Sequence, residues 1–376
     1  MAMRISWVVS SFKNIGVPTV RRLSSAPGIV SKITYNEYGD PSKVLRLSKG
    51  DILQIQRGEV LVKVLASPVN PADINTIQGV YPIRPPLPAV GGNEGVGEII
   101  EVGAEVQNLK PGDWVLPSRA GSVGTWSTHY VCSPRDIRTV PNDIPVLHAA
   151  TLAVNPCTAY RMLKDFADLK EGDYVIQNGS NTAVGQAVTQ IGKELKINLI
   201  NVVRNHAMPE CVQHHESLGA AKVVSEDFLR SSNMKDYINS LPSKPKLALN
   251  CVGGDVATNM IRHLAKGSVM VTYGGLSRKP VTIGTGSLIF SDIRILGFWM
   301  SEWNAHHVNS AESVEMINFL CQMIRQKKFK APKACAVPLE NFRDAVINSM
   351  SFGNRAKNIL AMNEKVLAEI NSGEEA

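Results

Sequence analysis

The stretch Tyr174-Val175-Ile176-Gln177-Asn178-Gly179-Ser180-Asn181-Thr182-Ala183-Val184-Gly185-Gln186 decides the architecture of this chain. A short apolar run, Tyr174–Gln177, ends at Asn-Gly, and the period then changes. Val184, Ala187, Val188, Ile191 and Leu195 recur on one helical face, which predicts a helix over Ala183–Leu195. A strand, a glycine turn and a helix therefore follow one another. Such a turn lets backbone N–H groups approach a pyrophosphate, whose charge is favoured at a helix N-terminus. Gly179 and Gly185 supply two of the expected small positions, while Thr182 and Ala183 stand where another glycine is usual. The fingerprint is degenerate taken alone; its setting between strand and helix points to dinucleotide binding rather than a plain crossover.

Downstream the alternation continues: strand Asn198–Val203, helix Ala207–Leu218, strands Lys222–Val224 and Leu247–Cys251, helix Val256–Leu264, then strands Val269–Tyr273 and Arg294–Phe298. Strands alternating with helices imply a parallel sheet covered on both faces. The end of the second strand bears on cofactor choice. An acidic residue there would accept from a ribose 2′-hydroxyl, whereas a 2′-phosphate needs a cation. The strand ends Val202-Val203-Arg204-Asn205-His206, with no carboxylate along the chain until Glu210, so the expected cofactor is NADPH, with Arg204 forking onto the phosphate.

Upstream the texture differs. Between Val30 and Pro141 short β-like runs (Val30–Thr34, Glu59–Leu65, Gly95–Val102, Asp113–Leu116, Ser127–Val131) are separated by Gly, Pro and Asn, which reads as a small β-barrel. Leu147–Ala167 has helical character. Near the C-terminus, helices Glu312–Gln326 and Leu339–Met350 precede a strand Asn358–Ala361, and these elements are expected to return to the β-rich half and complete it. The expected divisions are a leader over 1–25, a substrate domain over 26–151, a cofactor domain over 152–302, and the returning segment over 303–376.

Composition narrows the class. Of 376 residues 44% are hydrophobic and 19% charged, enough for buried cores, and the apolar runs are too short to cross a bilayer, so no membrane insertion is expected. The formal charge is +7, but residues 1–25 carry Arg4, Lys13, Arg21 and Arg22 and no acid, so the remainder carries 7 − 4 = +3. That balance removes most of the support for a nucleic-acid partner. In the leader, Ile5, Val8, Val9, Phe12 and Ile15 recur at helical spacing among Ser and basic residues, and Pro18 ends the pattern. An amphipathic, acid-free N-terminus of this kind reads as a mitochondrial targeting peptide, processed near Arg21-Arg22-Leu23-Ser24-Ser25. The six cysteines are scattered and show neither zinc-ribbon nor disulfide spacing, and His214-His215 and His306-His307 are adjacent pairs that point apart on a helix or a strand, so they read as solvated surface rather than a metal box.

With these residues assembled, the chain resembles the medium-chain dehydrogenase/reductase superfamily. Gly95-Val96-Gly97-Glu98-Ile99-Ile100-Glu101-Val102-Gly103, followed by Leu109-Lys110-Pro111-Gly112-Asp113-Trp114-Val115, matches its substrate-domain signature. Within it, the chain is similar to a zinc-free branch, the mitochondrial enoyl-thioester reductases. The motifs are Asn70-Pro71-Ala72-Asp73-Ile74-Asn75 with Gln78-Gly79-Val80-Tyr81, Gly91-Gly92-Asn93-Glu94-Gly95, Asn155-Pro156-Cys157-Thr158-Ala159-Tyr160-Arg161, Leu249-Asn250-Cys251-Val252-Gly253-Gly254, Val271-Thr272-Tyr273-Gly274-Gly275 and Gly297-Phe298-Trp299.

The resemblance covers about residues 30–365. It implies an α/β chain with a GroES-like β-barrel substrate domain plus a Rossmann doubly wound parallel-sheet cofactor domain, and a homodimer. The zinc enzymes of the superfamily place a Cys after the second strand and a His in Gly-His-Glu. Here Ala66–Gln78 holds no Cys and Asn93 replaces the His, so no catalytic metal is expected.

What the resemblance implies chemically is hydride addition to the β-carbon of an enoyl thioester carried on acyl carrier protein or CoA. Charge moves to the thioester oxygen, which calls for hydrogen-bond donors and a proton source. The resemblance assigns the proton to Tyr81. Asn70 is either a polar group near the reacting carbonyl or a turn residue before Pro71. The cofactor residues it implies are Asn155; Asn181, Thr182, Ala183 and Val184; Arg204, Asn205 and His206; Tyr273, Gly274, Gly275 and Leu276; Phe298, Trp299, Met300 and Ser301; and Lys357. Phe298-Trp299 either walls the acyl pocket or is core, and Lys357 either reaches the cofactor phosphates across the cleft or is solvated. The basic run Arg325, Lys327, Lys328, Lys330 either docks an acidic carrier or CoA phosphates or is a solvated helix end. The alternative enzyme on the same scaffold is a zinc-free NADPH quinone or enone reductase.

Overall fold

The computed structural model describes residues 28–51, 54–308, 310–351 and 356–373. The leader expected over 1–25 lies outside the described residues.

Six parallel strands form the cofactor sheet in the order Lys222–Ser225, Asn198–Val203, Tyr174–Asn178, Leu247–Asn250, Val269–Thr272, Arg294–Gly297. The order reverses beside the strand Tyr174–Asn178, so the turn carrying Gly179 opens at the crevice where such sheets take ligands. The strands are apolar on both faces because helices cover both. Val175, Leu199, Leu249 and Val271 join one core, which also takes in Val188 and Ile191 of the helix Ala183–Glu194; Ile176, Ile200, Ala248 and Met270 join another with Ala257 and Met260 of the helix Gly254–Ile261. The last strand, Arg294–Gly297, is an open edge with exposed residues.

The second half is built from mixed strands. A seven-strand sheet includes the path Ala334–Pro338, Lys357–Ala361, Val60–Pro68, Val96–Val102, Trp114–Pro117, Ile137–Val140, with His129–Cys132 pairing off Val60–Pro68. The strand Ile29–Tyr35 forms a three-strand sheet with Arg46–Asp51 and Ala89–Val90. The C-terminal strand Lys357–Ala361 runs antiparallel to Val60–Pro68, with Leu360 opposite Ser67, so the chain returns to its first half after passing through the cofactor sheet.

One expected element is broken. The helical stretch Leu147–Ala167 is two helices, Val146–Ala150 and Asn155–Asp165. Thr151–Val154 between them is not helical, and the buried carboxylate of Glu94 takes the Val154 N–H at 2.7 Å. Pro156 then occupies the first turn of the second helix, where a missing N–H costs nothing.

Candidate active site

The strand, glycine turn and helix expected around Gly179 are present. Gly179 sits at φ +58°, and a Cβ there would stand 2.3 Å from Cys251 Sγ, so glycine is required by both conformation and space. A Cβ on Gly185 would lie 2.5 Å from Ser180 Cα, which is why the helix can pack onto the turn. Thr182 does the work that a third glycine would leave undone: its hydroxyl caps the helix Ala183–Glu194 by accepting from Gly185 N at 3.2 Å. Asn181 turns its carbonyl to Gln186 Nε2 at 3.0 Å, and Ala183 and Val184 open the helix.

Two buried amides shape the crest of the sheet beside this turn. Asn178 Nδ2 donates to Asn250 Oδ1 at 2.7 Å, Asn178 Oδ1 accepts from Cys251 N at 2.8 Å, and Asn250 Oδ1 accepts from Gly253 N at 3.0 Å. The backbone of Leu276 returns to Cys251 O at 2.9 Å, so Tyr273, Gly274, Gly275 and Leu276 form a turn folded over Cys251. The Tyr273 hydroxyl faces Cys251 and Thr182, and burial drives it well above the ordinary phenol range. Neither Asn178 nor Asn250 was expected among the site residues. An Asn ending a largely apolar, buried strand, as in Tyr174–Asn178 (where Gln177 precedes it) and Leu247–Asn250, is the signal that marks them.

At the carboxyl end of the second strand, Arg204 is extended and precedes a single 3₁₀ turn, Asn205–Ala207, which holds Asn205 and His206. Along the chain no acid is near. In space, however, Glu226 and Asp227 follow the neighbouring strand Lys222–Ser225 and stand beside them. Asn205 Nδ2 donates to Asp227 Oδ2 at 2.7 Å, and its Oδ1 accepts from Asp227 N at 3.0 Å. Burial raises Glu226 from its ordinary range, and Arg204, Arg230 and His206 oppose that rise. The basic character of this corner is thus partly offset, a correction to the reading along the chain.

Asn155 opens the helix Asn155–Asp165, and its Nδ2 is buried with no hydrogen-bond partner among the described residues. A buried amide donor left unmatched costs roughly 1–3 kcal/mol, so this donor is open to an acceptor atom of a bound ligand. The helix start is held from below by Glu94, which is wholly inside the protein. One Glu94 oxygen accepts from Val154 N and the other from Asn70 Nδ2, both at 2.7 Å. Asn70 Oδ1 in turn accepts from Lys357 Nζ. Lys357 therefore lies in the substrate half among Asn70, Glu94 and Asp73, not at the phosphate position across the cleft named for it above. Burial raises Glu94 to about 7 against the opposing pull of Lys357, and burial lowers Lys357 against the pull of Glu94 and Asp73.

Asp73 is equally buried. Its carboxylate accepts from Asn70 N at 2.8 Å, from Asn93 N at 2.9 Å and from Asn93 Nδ2 at 2.8 Å, while Asn93 Oδ1 accepts from Gly121 N at 3.0 Å. Asn93, at the superfamily's His position, is thus fully used as a loop clamp. Asn70 stands at the N-cap of the helix Pro71–Ile77, just before Pro71, and its side chain lies in this polar cluster. The spacing Asn70-Pro71-Ala72-Asp73 carries half of a capping box, the signal by which the helix was legible and was missed.

Tyr81 follows that helix, its N–H held by Asn75 O at 3.1 Å. Across the cleft, Trp299 Nε1 donates to Tyr81 Oη at 2.7 Å, and the two rings meet edge to face with centroids 5.7 Å apart. Trp299 precedes the helix Met300–His307, whose first turn holds Met300, which is buried, and Ser301. Phe298 turns the other way and packs edge-on against Phe166 at 5.6 Å, so of the pair only Trp299 faces the phenol. The basic run behaves as structure: Arg325 forks onto Asp143 at 2.9 and 2.8 Å and Lys328 pairs with Glu194 at 2.8 Å, so two of its four cations are matched internally.

Comparison with known proteins places this geometry. The description "Alcohol dehydrogenase GroES-like domain" matches residues 56–141, and "Zinc-binding dehydrogenase" matches residues 183–318. The chain is 48% identical over 339 residues to the enoyl-[acyl-carrier-protein] reductase, mitochondrial, of Rattus norvegicus, covering 90% of each. Its structure is similar to that of the Etr1p/NADP/crotonyl-CoA complex, with a TM-score of 0.82 and 35% identity over 89% of this chain and 99% of that one. The Etr1p/Etr2p heterodimer of the mitochondrial 2-enoyl thioester reductase from Candida tropicalis matches at the same TM-score, identity and coverage. With a relative of such identity spanning nine-tenths of both sequences, and with a cleft that pairs a glycine-turn cradle with a Tyr–Trp contact, the chain belongs to the mitochondrial enoyl-[acyl-carrier-protein] reductase family.

Proposed function

We propose that this protein reduces trans-2-enoyl thioesters, linked to acyl carrier protein or CoA, to saturated acyl thioesters with NADPH, in mitochondrial fatty acid synthesis. The observation that carries the reading is the 2.7 Å bond from Trp299 Nε1 to Tyr81 Oη. An indole N–H only donates, so it fills an acceptor position on the phenol oxygen and leaves the phenolic proton to be given elsewhere. Among the described residues no other hydrogen bond engages that hydroxyl, which sits part-buried in the cleft.

NADPH supplies a hydride to the β-carbon. The cradle at Gly179–Val184 fits its pyrophosphate, Arg204 and His206 its 2′-phosphate, and the unmatched Asn155 amide its nicotinamide end. As charge builds on the thioester oxygen and α-carbon, Tyr81 donates its proton, and Trp299 stabilises the phenolate left behind. Solvent then restores the phenol. Proton and hydride together saturate the double bond.

The test is NADPH consumption by the purified protein with trans-2-enoyl-CoA, beside a quinone and a Tyr81→Phe variant. Turnover of the thioester that falls roughly 10²–10⁴-fold in the variant supports the reading. Turnover of quinone alone would transfer the protein to the quinone branch.

A homodimer through the cofactor sheet is part of the same reading. The edge strand Arg294–Gly297 is unpaired on its outer side, and Phe290 (75% exposed), Ile289 (66%) and Leu276 (60%) lie exposed on the same half of the chain. Sedimentation of Phe290→Glu is expected to give a lighter species than the parent.

A further inference from the structure

A second feature of the cleft concerns which residues set the nicotinamide end. Along the path from Val154 to Lys357 every hydrogen bond has a fixed sense. The Val154 N–H can only donate, and the Lys357 ammonium can only donate. Because Lys357 takes Asn70 Oδ1, the Asn70 amide is locked with Nδ2 toward Glu94. Glu94 therefore receives donors on both oxygens, Val154 N at 2.7 Å and Asn70 Nδ2 at 2.7 Å, an arrangement that an ionised carboxylate satisfies best. The main chain at 94 is fixed independently, since the Glu94 carbonyl accepts from Ser67 Oγ at 2.6 Å and Thr125 Oγ1 at 2.8 Å. A residue so held, fully buried and reaching 60 positions along the chain to the helix that begins with Asn155, links the substrate half to the nicotinamide side.

We propose that Glu94 is a positioning residue: as a two-acceptor brace between Asn70–Lys357 and the Val154 N–H, it sets the start of the Asn155 helix and so aims the Asn155 amide at the nicotinamide end of NADPH. This rests on the reading that the cleft takes NADPH. Protonating Glu94 removes its charge and leaves one oxygen a hydroxyl, a poor acceptor, which weakens one of the two links. The charged and titratable groups facing it are Lys357 from the C-terminal strand, Asp73 from the helix Pro71–Ile77 and the Cys157 thiol from the helix Asn155–Asp165. Lys357 favours the ionised form, while Asp73 and burial oppose it. The brace accordingly weakens as pH falls through neutrality.

The experiment measures NADPH binding by the full chain and by Glu94→Gln across pH 6 to 8, with 2′,5′-ADP, which lacks nicotinamide, as the comparison ligand. A glutamine keeps the volume and one acceptor but faces a donor with a donor. The expected result is NADPH affinity on the order of tenfold weaker in the variant at pH 8, unchanged 2′,5′-ADP affinity, and loss of the parent's decline in NADPH affinity toward pH 6. The double variant Glu94→Gln with Asn70→Asp restores an acceptor for every donor on the path and is expected to regain most of the NADPH affinity. Equal NADPH affinity in parent and Glu94→Gln, or equal weakening of both ligands, overturns the inference. A parent that binds 2′,5′-ADP but not NADPH overturns the functional reading instead.

Discussion

Replacing Trp299 by Phe removes a single N–H while keeping a ring against Tyr81, and it tests the proposed chemistry at its source. The indole donates at 2.7 Å to the phenol oxygen, and the edge-to-face contact at 5.7 Å is one that a phenyl ring retains. A hydrogen bond to a neutral acceptor contributes roughly 0.5–1.5 kcal/mol, and one to an ionised acceptor roughly 1.5–3 kcal/mol. The phenol becomes ionised only as it gives up its proton, so the difference, about 1–1.5 kcal/mol, belongs to the transition state. That converts to a roughly tenfold fall in kcat. The assay is steady-state NADPH consumption with a trans-2-enoyl-CoA for the parent, Trp299→Phe, Tyr81→Phe and the double variant. With no phenol oxygen left to accept, the Trp299 substitution is expected to have little further effect in the Tyr81→Phe background, and NADPH affinity is expected to hold in all four. A tenfold loss of the same size in both backgrounds would refute the reasoning, because Trp299 would then be acting on something other than Tyr81.

Three further outcomes follow from the same geometry. Gly179→Ala combines a left-handed backbone with a Cβ 2.3 Å from Cys251 Sγ, so NADPH affinity and Tm are both expected to fall, by titration and thermal denaturation, with a conformational cost alone of about 1–2 kcal/mol. Arg204→Ala is expected to raise KM for NADPH roughly tenfold or more and leave KM for NADH nearly unchanged, since the cation serves only the extra phosphate. His215 is wholly buried beside Asn201, not on the solvated surface that its adjacent pair suggested, and burial lowers it from 6.5 to about 4. The unfolded chain therefore takes up that proton first, so stability is present above about 6.5 and declines as pH falls toward 4, by about 3 kcal/mol in full. Urea denaturation of His215→Gln should show a shallower acid decline than the parent; parallel declines would remove His215 as its source.

The local parts of this molecule were legible and the distant pairings were not. The strand Asn198–Val203 has the bounds that its apolar run suggested, and the turn at Gly179 lies where the change of period placed it. These follow from residues a few positions apart. The break at Thr151–Val154 did not, because its partner is a carboxylate at Glu94 on another element. Likewise the acids beside Arg204 arrive from the next strand, over twenty positions on, and Lys357 finds Asn70 across 287 positions. Glu94 was read only as part of a motif. A lone acid among Gly91-Gly92-Asn93 and Gly95 carries no sign of being buried, and its role emerges from what closes around it.

The return of the C-terminal strand has a consequence for how the polypeptide is made. Lys357–Ala361 pairs with the Ala66–Pro68 end of the strand Val60–Pro68, so that end of the first sheet waits for the last elements to be synthesised before it is covered. The cofactor sheet has no such debt: its six strands lie between Tyr174 and Gly297 and contact one another in a contiguous block. A chain emerging N-terminus first thus completes its second-built half before its first-built half, and carries the Ala66–Pro68 end of one strand with a bare flank through most of translation, while Val60–Lys63 of the same strand is already paired with His129–Cys132. The same order recurs whenever the polypeptide is threaded unfolded through a narrow passage. Cellular holding factors would meet this protein at Ala66–Pro68, and the time they are needed is set by the distance in sequence between two neighbouring strands.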